Sequence, residues 1–208
     1  MKTRVKICGV TSVADARAAA EAGADLIGLN FYENSPRFLT LAAAAEISRA
    51  LPSFTQRVGV FVNPSEDLVV RAIAECGLNL LQFHGDEPSD FCTQFGLMSM
   101  KALRVRDETS LSSLASYQTD AFLLDAHSRS GLGGTGEKFN WKLAVEAQKF
   151  GKPIFLAGGL TPENVAEAVR QVRPFAVDVS SGVESAPGKK DAAKVRAFIQ
   201  SVRNAEIS

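Results

Sequence analysis

The chain has 208 residues, 46% hydrophobic and 22% charged, and its 23 basic and 23 acidic side chains cancel. That size suits a single domain spanning 1–208, with interior enough to fold without disulfide or metal staples. A neutral chain with no basic run offers no electrostatic footprint to nucleic acid or anionic lipid. No apolar run is long enough to span a bilayer, and the first ten residues lack the apolar stretch of a secretion signal. Cys8, Cys76 and Cys92 are odd in number and widely spaced, which argues against a disulfide framework or a zinc site. Reduced thiols in the cytoplasm are the simplest expectation.

Taken in chain order, one unit repeats: a short apolar run, a loop, then a stretch of helical periodicity. The first run, 5–8, ends at Cys8, and Ser12 with Asp15 forms a capping pair ahead of the Ala-rich segment 16–22. Run 26–30 ends at Asn30, and run 58–62 leads into Asn63-Pro64-Ser65-Glu66, a helix-start signal of cap, proline and acid. Run 80–83 precedes His84, run 100–103 comes next, and Cys76 and Cys92 sit on apolar helix faces. Run 122–125 ends at Asp125. Run 154–157 precedes Gly158-Gly159 and a start signal at Thr161-Pro162-Glu163, ahead of 164–172. Run 176–179 precedes Ser180-Ser181-Gly182, and the last helix spans 191–202 with Ala192, Val195, Phe198, Ile199 and Val202 on one face. Gly23, Gly77 and Gly151 stand where helices stop.

Eight strand–helix units permit a closed barrel or an open doubly wound sheet. Chemistry-bearing residues close strands all along the chain, and an open sheet would gather them at one switch point. Their spread favours a single-domain α/β (β/α)8 TIM barrel, whose reactive groups ring one mouth.

Each motif also has a plainer reading. Gly158-Gly159 and Ser180-Ser181-Gly182 are tight turns in one view. In adjacent barrel loops they suit a phosphate, with backbone N–H groups close to the anion. Cys8 alone reads as a small buried apolar residue, or as a base opposite the acid Asp125. Asp125 has a helix cap as its rival role. Arg37, stiffened by Pro36, is either a surface group or a carboxylate clamp at the mouth. His84 is a ligand, an acid or a satisfied core group. Gly131-Leu132-Gly133-Gly134-Thr135-Gly136 contains G-x-G-x-x-G, but five residues separate it from its strand and no acid closes the next. Gly133, Gly134, Thr135 and Gly136 read better as a flap over the mouth, with His127 facing water. Period-two alternation puts Lys6 on the Cys8 side of its strand, inside the barrel, where it is expected to share Asp178 and lend Cys8 positive potential.

Together, in order and over nearly the whole chain, several motifs resemble the phosphoribosylanthranilate isomerase family. These are Lys6-Ile7-Cys8-Gly9, Ser35-Pro36-Arg37, Leu81-Gln82-Phe83-His84-Gly85, Leu123-Leu124-Asp125, Gly133-Gly134-Thr135-Gly136, Leu156-Ala157-Gly158-Gly159-Leu160 and Asp178-Val179-Ser180-Ser181-Gly182-Val183-Glu184. One departure is Asn140 before Trp141, where the family usually has Asp; it opens a helix, and Asn caps nearly as well. The resemblance implies an Amadori rearrangement of N-(5'-phosphoribosyl)anthranilate in tryptophan biosynthesis, with no cofactor and no metal. It implies Asp125 as acid and Cys8 as base. It implies Arg37 on the anthranilate carboxylate, and Gly158, Gly159, Ser180, Ser181 and Gly182 on the phosphate, with Asp178 positioning that rim and His84 in the substrate site. The expected partner is this small phosphosugar–anthranilate molecule, not nucleic acid or membrane, and the expected assembly is a monomer or weak homodimer. The rivals are a histidine-pathway aminoaldose isomerase, which uses two aspartates, and a non-catalytic phosphosugar-binding barrel. Indoleglycerol-phosphate synthase would want a lysine pair at the rim.

Overall fold

A computed structural model describes residues 2–105, 107–125 and 141–206. The apolar runs become strands β1 (Arg4–Cys8), β2 (Leu26–Asn30), β3 (Gln56–Phe61), β4 (Leu80–Phe83), β5 (Ser99–Arg104), β6 (Ala121–Asp125), β7 (Ile154–Ala157) and β8 (Ala176–Val179). Neighbours pair in parallel and β8 returns to β1, so the sheet closes as a TIM barrel. The helices are α1 (Val13–Glu21), α2 (Leu41–Ala50), α3 (Glu66–Cys76), α4 (Ser89–Thr93), α5 (Glu108–Leu111), α6 (Trp141–Ala147), α7 (Val165–Val172) and α8 (Ala192–Ala205).

Each strand divides its side chains between two buried layers, which is why the runs are almost continuously apolar. Leu26, Val58, Leu80, Met100, Leu123 and Phe155 fill the barrel interior. Ile7, Ile27, Phe61, Phe83, Leu124 and Leu156 pack under the helices. Phe61 stacks on Phe31 at 5.1 Å and on Phe83 at 5.9 Å. Burying each such ring contributes about 1.5–3 kcal/mol. The period of two carries the interior set up to the C-terminal rim. There the same faces end in Cys8, Asn30, Gln82, Asp125 and Asp178.

Local signals hold in part. Ser12 caps α1, its hydroxyl accepting from Asp15 N–H at 3.1 Å. Ahead of α3 the cap is Ser65, not Asn63, and it accepts from Leu68 N–H at 3.2 Å. Asn63 has a φ of 46° and is committed to Asp86 N–H at 2.7 Å, joining two rim loops. Thr161-Pro162-Glu163 is a turn closed by Thr161 N–H on Asn164 Oδ1 at 2.8 Å, so α7 starts only at Val165. Gly77 caps α3 in the left-handed conformation. Asp191 caps α8, which continues past 202 to Ala205, and that residue joins the buried face. Ala192 sits in the first turn and is exposed, contrary to expectation. Cys76 and Cys92 are buried on helices, and burial pushes each thiol up to about 11.

After β8 comes a hairpin that the sequence reading did not foresee, β9 (Glu184–Ala186) against β10 (Lys189–Lys190). The expected flap residues Gly133, Gly134, Thr135 and Gly136, with His127 and Asn140, lie outside the described residues. Among the described residues, no helix is long and apolar enough to cross a membrane.

Candidate active site

A cavity of about 270 Å³ opens at the C-terminal ends of the strands. Cys8, Arg37, His84, Asp125 and Asp178 line it, together with Gly158, Gly159, Ser180, Ser181 and Gly182. Every expected site residue that is described meets there. A larger hollow, about 660 Å³, lies at the N-terminal end of the barrel among Lys2, Thr3, Lys152 and Phe175. Its lining sets Glu206 among the cations Lys2, Lys152, Arg170 and Arg173 but holds none of the residues at the C-terminal strand ends, so size is the weaker guide to chemistry here.

The floor is ionic. Lys6 is fully buried and its Nζ donates to Asp178 Oδ1 at 2.8 Å. Their strands are in register at this pair, so backbone geometry sets the contact. Burial works against the Lys6 charge, but Asp178 and Cys8 outweigh it and raise its pKa. For Cys8, burial is the largest influence and pushes the thiol up. Lys6 and, more weakly, Lys190 pull it down, while Asp178 adds to the rise. Lys6 thus supplies the expected positive potential, yet the net result is a resting thiol rather than a thiolate.

On the facing wall Asp125 ends β6. His84 Nε2 stands 3.6 Å from Asp125 Oδ2, and His84 Nδ1 lies 3.4 Å from Gln82 Nε2. Both side chains are roughly one-fifth exposed, at 23% for His84 and 21% for Asp125, so the pair faces the cavity without being sealed in. Gln82 is buried and lines the same cavity. The sequence reading had it only inside a motif. Its signal was alternation from Leu80, which turns it inward.

The two glycine-bearing loops touch. Gly158 and Gly159 both take positive φ, 83° and 64°, a conformation that side chains with a Cβ rarely adopt. A Cβ on Gly182 would come 2.0 Å from the carbonyl oxygen of Leu160, so only glycine lets the loops after β7 and β8 meet. A short 3₁₀ turn, Ser181–Val183, begins there. Successive backbone amides in such loops form concave anion sites.

Arg37 completes the mouth. Its stem crosses Gly9, where a Cβ would lie 2.3 Å from Arg37 Cδ. Its head makes a two-point pair with Glu184, Nε to Oε1 at 2.8 Å and Nη2 to Oε2 at 2.6 Å. Glu184 also accepts from Lys190 Nζ at 2.8 Å, and that ammonium reaches Ser180 O at 3.2 Å. Burial would raise the Glu184 carboxyl, but the hydrogen bonds from Arg37 and Lys190 prevail and hold it low. Glu184 and Lys190 escaped the sequence reading as site residues. The available signal was the Pro187-Gly188 turn, which folds the two back on each other.

The site therefore combines a thiol, a carboxyl, a guanidinium and a loop pair fit for an anion. The family described as "N-(5'phosphoribosyl)anthranilate (PRA) isomerase" matches residues 5–201. The N-(5'-phosphoribosyl)anthranilate isomerase of Trichlorobacter lovleyi is 55% identical over 202 residues, covering 97% of this chain and 98% of that one. The crystal structure of phosphoribosyl anthranilate isomerase from Thermotoga maritima superposes with a TM-score of 0.91 at 40% identity, over 97% and 99% of the two chains. A phosphoribosyl anthranilate isomerase in complex with reduced 1-(o-carboxyphenylamino)-1-deoxyribulose 5-phosphate superposes at 0.88 with 39% identity, over the same shares.

Proposed function

Because this chain belongs to the N-(5'-phosphoribosyl)anthranilate isomerase family, an isomerase family of tryptophan biosynthesis, we propose that Cys8 and Asp125 carry its reaction as base and acid. The substrate is N-(5'-phosphoribosyl)anthranilate and the product 1-(o-carboxyphenylamino)-1-deoxyribulose 5-phosphate. The observation that carries the assignment is the convergence of both residues on one cavity, from strands on opposite arcs of the barrel.

Asp125 gives a proton to the furanose ring oxygen, and the C1'–O bond breaks to leave a cationic Schiff base. Cys8, as thiolate, takes the proton from C2'. The electrons of that C–H bond flow into the iminium, and the enolamine relaxes to the ketone. The resting thiol first releases its proton to solvent in the open cavity, as the iminium forms, and only then acts as base. The iminium forms beside Cys8 and supplies positive charge that Lys6 alone does not match against burial. Arg37 takes the anthranilate carboxylate, and the loops at Gly158-Gly159 and Ser180-Ser181-Gly182 take the phosphate. Asp178 holds Lys6 below them, and His84 stands beside the acid.

Residues 1–208 act as one catalytic domain in the cytoplasm, and three free cysteines support a reducing compartment. The assembly is a monomer or weak homodimer. Phe54, Val70 and Met98 are exposed on separate elements, while Tyr32 and Phe38 together line one hollow, and this divided apolar surface fits either state.

The test is fluorescence. Phosphoribosylanthranilate is generated in situ from anthranilate and phosphoribosyl pyrophosphate by a transferase, and this protein is then added. The expected result is a rapid loss of anthranilate-type fluorescence. No loss with folded protein overturns the reading and makes the histidine-pathway aminoaldose the next substrate to try.

A further inference from the structure

Glu184 is an unexpected neighbour for an anion-binding arginine. A carboxylate at the mouth competes with any anion that Arg37 is meant to hold. Yet it is the better buried partner, its side chain 5% exposed against 21% for Arg37. It is also anchored twice more, by Lys190 Nζ at 2.8 Å and by Gly188 N–H at 3.3 Å. Gly188 carbonyl accepts from Thr11 Oγ1 at 2.5 Å, and Lys190 N–H donates to Asp15 Oδ2 at 3.0 Å. The β9–β10 hairpin is thereby fastened to the loop after β1 and to α1. Glu184 is a fixed point, and Arg37 is the group it can fix.

A guanidinium presents two bidentate edges. Glu184 occupies the edge formed by Nε and Nη2. Among the described residues the other edge, Nη1 with the second hydrogen of Nη2, has no hydrogen-bond partner, and it remains for a ligand in the cavity that Arg37 lines. Lys190 extends the same network to Ser180, through its carbonyl at 3.2 Å and its hydroxyl at 3.4 Å. One carboxylate thus ties the arginine to the Ser180 loop beside it, since a Cβ on Gly9 would meet both Arg37 Cδ at 2.3 Å and Ser180 Oγ at 3.1 Å. Arg37 and Lys190 are two cations on the one carboxylate of Glu184, with Asp15 held by the Lys190 backbone behind them, so Glu184 does not by itself cancel the pull of this trio on a carboxylate.

We propose that Glu184 is a positioning residue: it presets the free edge of Arg37 for the anthranilate carboxylate and, through Lys190, fixes the spacing between that edge and the Ser180 loop. The inference rests on Arg37 being the carboxylate clamp. Its chemical content is preorganisation. A long flexible side chain held in its bound geometry loses less entropy when the ligand arrives.

The experiment is a double-mutant cycle on the full chain, with steady-state turnover of phosphoribosylanthranilate and binding of the reduced product analogue as readouts. Glu184→Gln should raise KM, and the analogue Kd with it, about tenfold, while kcat changes less than about threefold. In an Arg37→Ala background the same substitution should change KM by less than about twofold, because the group it positions is gone. If Glu184 merely damps the charge of Arg37, its neutralisation tightens binding, and a KM that falls or stays level overturns the proposal. An equal rise in both backgrounds also overturns it, since that marks general disturbance of the rim. A readout in the unsubstituted protein guards against misfolding of the variant. The Arg37 Nε–H proton resonance, assigned by its loss in Arg37→Lys, should exchange slowly with solvent before ligand is added, and fast exchange contradicts the proposal. Inactivity of the wild-type enzyme in this assay would instead retire the acid–base reading, whereas an active enzyme indifferent to Glu184→Gln retires only this inference.

Discussion

The Lys6 ammonium and the Asp178 carboxylate meet at 2.8 Å on the floor of the barrel mouth, brought there by the pairing of β1 with β8. The contact ties fold to chemistry, because the same ammonium lowers the pKa of the Cys8 thiol against the pull of burial. Lys6→Met should therefore act twice. It should leave Asp178 without its partner, at a cost of about 3–5 kcal/mol in folding stability measured by urea unfolding. It should also raise the Cys8 pKa further, so alkylation of Cys8 at fixed alkaline pH slows relative to wild type. An unchanged rate–pH profile would show that Lys6 does not act on the thiol.

Gly182 and Leu160 make the second prediction. Gly182→Ala puts a methyl group 2.0 Å from a carbonyl oxygen, and backbone cannot yield as a flexible side chain does. Overpacking of this kind costs about 1–3 kcal/mol. The loops after β7 and β8 should separate and the affinity for inorganic phosphate, read as its inhibition constant, should weaken. Retained phosphate inhibition with retained stability would remove that loop pair from the phosphate site.

Arg37→Ala should mainly raise KM, since a clamp on the anthranilate carboxylate acts in ground and transition states alike. Steady-state kinetics check this. A lowered kcat at unchanged KM would assign Arg37 to the chemical step instead.

The buried thiols predict a pH dependence of stability. Cys76 and Cys92 ionise near 9.0 when unperturbed and are pushed up to about 11 by burial in the fold. Between these values the unfolded chain gives up protons that the folded chain keeps. Stability is thus fully present below about pH 9 and declines as pH rises toward about 11. Chemical denaturation across that window should show the decline. The double variant Cys76→Ala/Cys92→Ala should show a shallower one, and an equal slope would place its origin elsewhere.

The fold was legible because burial on both faces leaves a strong trace. The runs at 26–30, 80–83, 154–157 and 176–179 coincide with β2, β4, β7 and β8. Residues closing a strand were legible too, and Cys8 and Asp125 line one cavity. Alternation predicted the Lys6–Asp178 contact, which backbone register then enforces. Local cap chemistry misled at Asn63, where a tertiary partner, Asp86 N–H, outbid the helix end. Glu184 and Lys190 were hidden for another reason. Their importance comes from Arg37, separated from Glu184 by 147 positions, and no local period reports such a contact. The direction of the Cys8 shift was equally hidden, since it depends on the balance between burial and Lys6 at a half-buried position.

The central claim is the acid–base pair, and turnover of phosphoribosylanthranilate by Cys8→Ala and Asp125→Ala tests it most directly. Each variant should bind the reduced product analogue about as well as wild type and lose roughly 10²–10⁴-fold in kcat. Turnover within about threefold of wild type in either variant would contradict the account, because general acid–base groups at this cavity contribute far more than that.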